Sequence, residues 1–172
     1  MYSRPKKQVT EQEALLKLSA LCSQAEHSSG EMRDKMRRWA MPAESIDRVI
    51  DRLVDERFVD DERFARFFVR DKIRFDRWGR RKIEQALYRK GIDSAIRSRV
   101  LGEVPDDDYI EQLAELIAAK RRTVKAATAY ELNAKLIRFA LGRGFGMDII
   151  RHCIASADEY GVCDDDTCSD DD

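Results

Sequence analysis

The chain has 172 residues, of which 38% are charged and 43% are hydrophobic, with only three prolines and eight glycines. This composition excludes a collagen-like or wholly disordered chain, because enough apolar surface is present to bury a core. It also argues against a β-sandwich, which needs many turns. No apolar run approaches the roughly 18 residues that span a membrane, and the basic start lacks the apolar stretch of a signal peptide. We therefore expect a cytoplasmic protein with no membrane partner.

Charge is distributed unevenly, although the formal net charge is only −1. Residues 158–172 contain eight acidic and no basic residues, so residues 1–157 hold 32 basic against 25 acidic ones. Blocks of this kind are typical of solvated tails. We expect a flexible basic arm over 1–9 and an acidic disordered tail over 161–172. A second interpretation of the tail, as a nucleic-acid mimic that competes for the basic body, stays open.

The four cysteines are Cys22, Cys153, Cys163 and Cys168. Together with His152, the last three have the ligand types of a zinc site, but their spacing matches no familiar zinc pattern. Reduced thiols are the favoured interpretation. We predict no metal and no cofactor.

Helical signals occur along the whole chain. Thr10 and Glu13 form a capping box, which predicts a helix start. Aspartates at 60–61 and 106–108 place carboxylates where a helix N-terminus favours them. The predicted helices cover about 11–25, 31–39, 43–56, 61–77, 80–90, 93–102, 108–127, 130–142 and 146–160.

The helix ends repeat along the chain. Ala40, Gly91 and Gly144 each follow apolar residues at eight and four positions upstream and precede one at the next position. This pattern predicts a helix with one buried stripe that ends in a left-handed residue. Ala40 departs from glycine, which predicts that the first unit ends differently. The separations of 51 and 53 residues fall in the range of helical repeats.

These observations predict an all-α fold, an elongated and curved array of three tandem three-helix repeats. The predicted repeats cover residues 10–58, 59–104 and 105–160.

The helix between Glu62 and Trp78 carries the strongest functional signal. At 100° per residue, five arginines lie within an arc of about 80°, opposite an apolar side. The apolar residues are Phe64, Ala65, Phe68, Val69 and Phe75, and the arginines are Arg63, Arg66, Arg70, Arg74 and Arg77. Three further basic residues begin the next helix, namely Arg80, Arg81 and Lys82. Because like charges at these spacings destabilise a helix, and because guanidinium groups fork onto phosphate or carboxylate, we predict that all eight bind a partner. The partner is either nucleic-acid backbone or an acidic protein groove.

Other basic and aromatic residues are less informative. Four basic residues of the third unit, Lys120, Arg121, Arg122 and Lys125, either extend the surface or stabilise a helix end. The aromatic residues of the second unit, among them Phe75 and Tyr88, are mostly expected in the core. Phe67 and Trp78 are the two that could stack on bases, although a core role is favoured for them too.

Motifs of catalytic sites are missing from the sequence. It contains no phosphate-binding loop, nucleophile elbow or metal-binding helix pair. The alternating glycines of 142–146 follow a predicted helix rather than the strand that a dinucleotide fingerprint needs. His27 and His152 stand alone. We predict that the protein is not an enzyme.

Three motifs of residues 57–104 resemble the RecX family of regulators of the RecA recombinase. They are VDDERFA (59–65), WGRRKIEQAL (78–87) and KGI (90–92). The first unit is similar in HSSGEMRDKM (27–36) and IDRVIDRLVDERF (46–58), and the third in LNAKLIRFALGRGF (132–145). The resemblance covers about residues 10–157. Its motif residues are expected to be mainly structural, and they are Asp60, Asp61, Phe64, Ala65, Gly79, Ile83, Leu87, Lys90, Gly91 and Ile92.

The resemblance implies a monomeric, non-catalytic protein that binds along the helical groove of the RecA–DNA filament. It would inhibit strand exchange, ATP hydrolysis and coprotease function in DNA repair and the SOS response, with only weak direct contact to DNA. Trp39-Ala40 departs from the Lys-Gly pair usual in the family, and the acidic tail lies outside its pattern. Two other functions stay open: a stand-alone nucleic-acid-binding repeat protein, and a scaffold for a different protein.

Overall fold

The computed structural model describes residues 9–160, with side chains through Ser156. Nine α-helices and no strand make up this part of the chain, which confirms the all-α class. The helices are α1 (Glu11–Cys22), α2 (Ser29–Arg38), α3 (Ala43–Asp55), α4 (Asp61–Arg74), α5 (Arg80–Arg89), α6 (Ser94–Gly102), α7 (Asp106–Arg121), α8 (Ala129–Gly142) and α9 (Met147–Tyr160). The predicted acidic tail, Cys163, Cys168 and nearly all of the predicted basic arm lie outside the described residues.

Side-chain caps begin several of these helices. In α1, the Glu13 amide donates to the Thr10 hydroxyl at 3.2 Å, and the Thr10 amide donates to the Glu13 carboxylate at 3.1 Å, which confirms the capping box. Asp60 accepts a bond of 2.9 Å from the Arg63 amide at the start of α4. These bonds satisfy amides that the first helical turn leaves unpaired.

The second helix of each triplet ends in the same way. Ala40, Gly91 and Gly144 have φ values of 55°, 75° and 87°, so the predicted left-handed ends are confirmed. In each case the next amide bonds back to a carbonyl five residues earlier, at 3.1–3.2 Å. The expectation that the first unit ends differently is wrong, because Ala40 adopts the left-handed conformation despite its Cβ.

Three helices end earlier than predicted, and the first of them, α1, ends at Cys22 rather than near residue 25. The helix α4 ends at Arg74 rather than near residue 77, because Arg77 turns left-handed with φ 52°. The Trp78 amide then bonds to the Lys72 carbonyl at 3.0 Å. The helix α7 ends at Arg121 rather than near residue 127. The β-branched pair Thr123-Val124 follows, and such residues are weak helix formers.

Contacts group the chain into two compact units, and the boundaries between them fall inside α4, inside α5 and before the last residue of α6. Unit 1 comprises the residues up to Val69 together with Gln85–Leu101. Its helices α1 and α2 pack on α3, and their core includes Leu18, Met36 and Leu53, each at most 1% exposed.

Unit 2 comprises Arg70–Glu84 and the residues from Gly102 onward. The helix α7 packs there on α8 and α9. Tyr109, Leu113, Leu136 and Phe145 are almost wholly buried in this unit. These units do not follow the predicted repeat boundaries, which stay a prediction. Among the described residues, no helix is long and apolar enough to cross a membrane.

Candidate functional site

The arginines of α4 project away from its buried side. Phe64, Ala65 and Val69 are at most 7% exposed, and the Phe64 ring stacks on Phe68 with centroids 5.8 Å apart. Asp61, in the first turn, accepts bonds of 2.7 and 2.5 Å from the amide and hydroxyl of Ser29. The burial of one side and this tether fix which way the arginines of the helix face.

In unit 1, the two α4 arginines are engaged by carboxylates. Arg63 pairs with Glu26 at 2.8 Å, and this hydrogen bond holds the pKa of Arg63 above its ordinary value. Arg66 pairs with Glu62 at 2.5 Å, and Glu62 also pairs with Arg99 at 2.8 Å. The arc of arginines contains no acidic residue of its own, but Glu62 on the same helix and Glu26 in the loop before α2 supply carboxylates.

In unit 2, three arginines of the predicted surface are exposed and pair with no carboxylate of the described chain. Arg70, Arg74 and Arg81 form no ion pair with another residue of the described chain. The guanidinium of Arg74 lies 5.6 Å from the centroid of the Phe75 ring, and both residues are exposed. We call Arg70, Arg74 and Arg81 the unpaired arginines. Their donors are available to a bidentate acceptor such as a phosphate or a carboxylate.

The remaining predicted site residues of unit 2 already have partners. Arg77 pairs with Glu115 at 2.9 Å, and its left-handed backbone takes it off the helical stripe on which the sequence placed it. Arg80 pairs with Asp106 at 3.0 Å and covers the ring of Tyr109 at 5.2 Å. Lys82 lies 4.5 Å from the centroid of the Trp78 ring, which Lys72 also contacts at 5.2 Å.

A backbone contact positions the start of α5 in unit 2. The Gly79 amide donates to the Arg143 carbonyl at 2.8 Å, and the Arg81 amide donates to the Gly144 carbonyl at 3.1 Å. A Cβ on Gly79 would collide with the backbone of Gly144. Ile83, the next motif residue along α5, is fully buried. This close approach holds the segment that carries Arg81.

A related contact in unit 1 joins the end of α5 to the start of α2. The buried Ser28 hydroxyl donates to the Lys90 carbonyl at 2.7 Å, and the Lys90 ammonium pairs with Glu31. Burial raises the pKa of Glu31, but its bonds from Lys90 and the Ser28 amide outweigh that effect and hold the pKa below its ordinary value. Leu87 and Ile92 flank this contact and are at most 2% exposed.

Several aromatic residues are more exposed than the sequence predicted. Phe75 is 72% exposed, because it follows the last residue of α4 and no longer faces the core. Tyr88 is 69% exposed on α5, so its assignment to the core is also wrong. Phe67 is 53% exposed, so the core role that the sequence favoured for it is wrong as well.

The basic residues of the third triplet make different contacts in the structure. The Lys120 ammonium lies 5.3 Å from the centroid of the Phe139 ring. Lys135 donates to the Lys125 carbonyl at 2.7 Å and thereby closes the loop before α8. Arg122 is exposed at the C-cap of α7, where a cation favours the helix dipole.

No group of three or more His, Cys, Asp or Glu side chains within residues 9–156 is placed to hold a metal ion. Cys153 is buried, and its thiol lies 3.6 Å from the Ile110 carbonyl oxygen. The other two cysteines of the zinc alternative lie outside the described residues. What the geometry presents is a helical-repeat surface with exposed arginines.

Comparisons with known proteins identify the class. Three family models, described as the first, second and third three-helix domains of RecX, match residues 17–53, 60–101 and 106–154. The chain is 33% identical over 140 residues to the regulatory protein RecX of Acinetobacter baylyi, covering 81% of this chain and 85% of that one. It is 29% identical over 136 residues to the regulatory protein RecX of Clostridium botulinum, of whose length it covers 63%.

Solved structures share the fold. The crystal structure of RecX from Lactobacillus salivarius matches with a TM-score of 0.78 and 24% identity, over 87% of this chain and 97% of that one. The solved structure shows the fold, and the three family models together with the Acinetobacter relative show the family. The chain belongs to the RecX family.

Proposed function

We propose that this protein regulates the RecA recombinase by binding the RecA filament on DNA and inhibiting its activities. The observation that supports this function most directly is the set of unpaired arginines in unit 2, carried by a member of the RecX family. Like-charged, exposed arginines that form no ion pair destabilise their own helix slightly. A partner that supplies hydrogen-bond acceptors for these arginines would offset this destabilisation of the helix.

The unpaired arginines suit either of two acceptors on such a filament. DNA phosphates and acidic side chains both accept the two parallel N–H bonds of a guanidinium group. Three further residues would bind the partner only after leaving their present contacts. Arg77 would leave Glu115, Arg80 would leave Asp106, and Lys82 would leave the Trp78 ring. Arg63 and Arg66 would likewise have to give up Glu26 and Glu62. We therefore place the main contacts on Arg70, Arg74 and Arg81, and secondary contacts on the other five.

Inhibition would follow from binding alone, without a reaction on this chain. Exposed ion pairs contribute about 0.2–1 kcal/mol each, so useful affinity requires several contacts along the filament. A chain that bridges adjacent recombinase subunits would stabilise one arrangement of the filament. It would thereby change ATP hydrolysis without touching the nucleotide, because binding and conformation are coupled.

The test is ATP hydrolysis by RecA on single-stranded DNA, titrated with this protein. We expect progressive inhibition at constant RecA and DNA. Where phosphates supply the acceptors, affinity for the filament should also fall with salt, with a log–log slope of about −0.7 to −0.9 per phosphate. A shallow slope would assign the contacts to protein carboxylates, and unchanged hydrolysis would contradict the function.

A stand-alone nucleic-acid-binding protein is the second candidate. It is supported by the excess of basic residues in 1–157 and by the exposed aromatic residues beside arginines. Tight binding to bare DNA together with no effect on RecA would favour it over filament regulation.

A further inference from the structure

A cavity of about 330 Å³ lies in unit 1 between α2 and the end of α5. Arg33 and Arg37 line it from α2, and Tyr88 and Arg89 line it from α5. None of these four residues belongs to the arginine surface described above. Sequence patterns gave no signal for it, because the two sides are more than 50 residues apart in the chain.

The walls of this cavity are held in place by the contact between α2 and α5. A Cβ on Gly91 would lie only 2.9 Å from the Gly30 Cα, so the two backbones meet closely at this end. The Ser28 hydroxyl bonds to the Lys90 carbonyl at 2.7 Å beside it. The side chains of the cavity therefore project from a fixed backbone frame.

Tyr88 provides a flat aromatic surface at the cavity. Its ring is 69% exposed, and the Arg97 guanidinium lies over one face at 5.3 Å from the centroid. Arg97 is itself held by a bond of 2.6 Å to the Ile92 carbonyl. One face of the ring is thus supported, and the exposed area remains for a second planar group.

The lining is basic. Arg33, Arg37 and Arg89 contribute three positive charges, against one negative charge from Asp34. Arg37 pairs with Asp34 at 2.8 Å, and Arg33 pairs with Asp47 at the edge of α3. Arg89 forms no ion pair in the described part of the chain. Arg89 is therefore the arginine of the lining whose charge is not paired, and Arg33 would bind an anion only by giving up Asp47.

We propose that this cavity binds one nucleotide of single-stranded DNA, with the base stacked on Tyr88 and the phosphate bonded to Arg89 and Arg33. An exposed aromatic ring beside arginines is the arrangement that binds unpaired bases. Duplex DNA hides the faces of its bases, so the site selects single strands. An acidic peptide would use the arginines but not the ring. This binding goes beyond filament regulation, since it needs no recombinase and uses other residues.

The test is fluorescence anisotropy of a short fluorescein-labelled oligothymidine with the full chain at low salt and without RecA. Tyr88→Leu should weaken binding about tenfold, because stacking on one aromatic ring is lost. Arg89→Ala should weaken binding and lower the log–log salt slope by about 0.7, the value for one phosphate of a single strand. Tyr88→Trp should retain binding.

The matched control is Tyr130→Leu, since Tyr130 is 85% exposed but belongs to unit 2. It should bind as the parent does, and circular dichroism should show unchanged helicity for every variant. An abasic strand of equal length should bind the parent about as weakly as oligothymidine binds Tyr88→Leu.

Three outcomes would overturn the proposal. One is a parent chain that does not bind oligothymidine, and another is equal binding of the parent to the abasic strand. The third is displacement by polyglutamate at equal charge with no effect of Tyr88→Leu, which would indicate an acidic-peptide site. Inhibition of RecA is measured separately, so either function can fail without the other.

Discussion

The α4 arginines of unit 1 and those of unit 2 have the same residue type and helical spacing but different neighbours. Arg63 and Arg66 pair with Glu26 and Glu62, whereas Arg70 and Arg74 pair with no carboxylate of the described chain. The first two therefore contribute to the fold of their own unit, and the last two remain available to a partner. Periodicity along one helix predicts the face on which a charge lies, but not whether that charge is already neutralised.

The two units also differ in how α5 is held. In unit 1, side chains join α5 to α2, through Ser28, Glu31 and Lys90. In unit 2, backbone bonds of Gly79 and Arg81 join α5 to the end of α8. Substitutions should therefore act differently at the two contacts.

The largest effect is expected at the backbone contact. Gly144→Ala places a Cβ 2.5 Å from the Lys82 amide nitrogen, at a φ of 87° that disfavours any side chain. We expect a loss of about 2–4 kcal/mol in the free energy of unfolding, typical of overpacking combined with backbone strain. Urea denaturation followed by circular dichroism measures it.

Ala40→Gly is the matched variant, because Ala40 occupies the equivalent left-handed position with φ 55°. Relief of its strain should raise stability by about 0.5–1 kcal/mol. Destabilisation by both variants would contradict the equivalence of the two helix ends.

The next largest effect is expected on the salt dependence of filament binding. Changing Arg70, Arg74 and Arg81 to Ala should reduce the log–log salt slope of filament binding by about 2, if each arginine neutralises one phosphate. Changing Arg63 and Arg66 to Ala should leave the slope within error of the parent. Co-sedimentation with RecA filaments over a range of salt concentrations gives both slopes, and equal reduction by the two variants would abolish the distinction between the units.

A pH effect is expected at the side-chain contact of unit 1. Because the pKa of Glu31 is held below its ordinary value, its contribution to stability is present above that ordinary value and is lost as the pH falls through the lowered pKa. Glu31→Gln should cost about 1 kcal/mol at neutral pH, and the deficit should disappear in acid. Urea denaturation at several pH values measures this, with the exposed Glu111→Gln as a control. A deficit that persists at the acidic end would contradict it.

The smallest effect is expected when a site arginine loses the carboxylate that pairs with it and can then bind the filament. Glu115→Gln removes the carboxylate that pairs with Arg77 at 2.9 Å. We expect filament affinity to rise by about twofold, the value of one exposed ion pair. Glu111→Gln on the same helix changes the net charge equally and should have less effect, and equal gains would assign the change to net charge alone.

Much of the fold could be predicted from sequence, because caps and apolar periodicity are local. The capping box at Thr10 and the left-handed ends at Gly91 and Gly144 follow from residues within one helix. The end of α4 could not be predicted in the same way, since Arg77 continues the periodic pattern yet turns left-handed.

The candidate site was less predictable than the fold. Arg63 and Glu26 are 37 residues apart, and Arg77 and Glu115 are 38 apart, so only the tertiary structure shows which charges are paired. Tyr88 has the spacing of a core residue on α5, but the structure leaves its ring exposed over Arg97. For the arginines the deciding contacts come from distant parts of the chain, whereas for Tyr88 the contact comes from the next helix, α6.

The most direct test of filament regulation compares three proteins in RecA-catalysed ATP hydrolysis on single-stranded DNA. They are the parent, the variant with Arg70, Arg74 and Arg81 changed to Ala, and the variant with Arg63 and Arg66 changed to Ala. The double variant should inhibit almost as well as the parent, because Arg63 and Arg66 make only secondary contacts. The triple variant should require about tenfold more protein, from three contacts of about 0.5 kcal/mol each. Inhibition by the triple variant at the same protein concentrations as the parent, or no inhibition by the parent, would contradict the account.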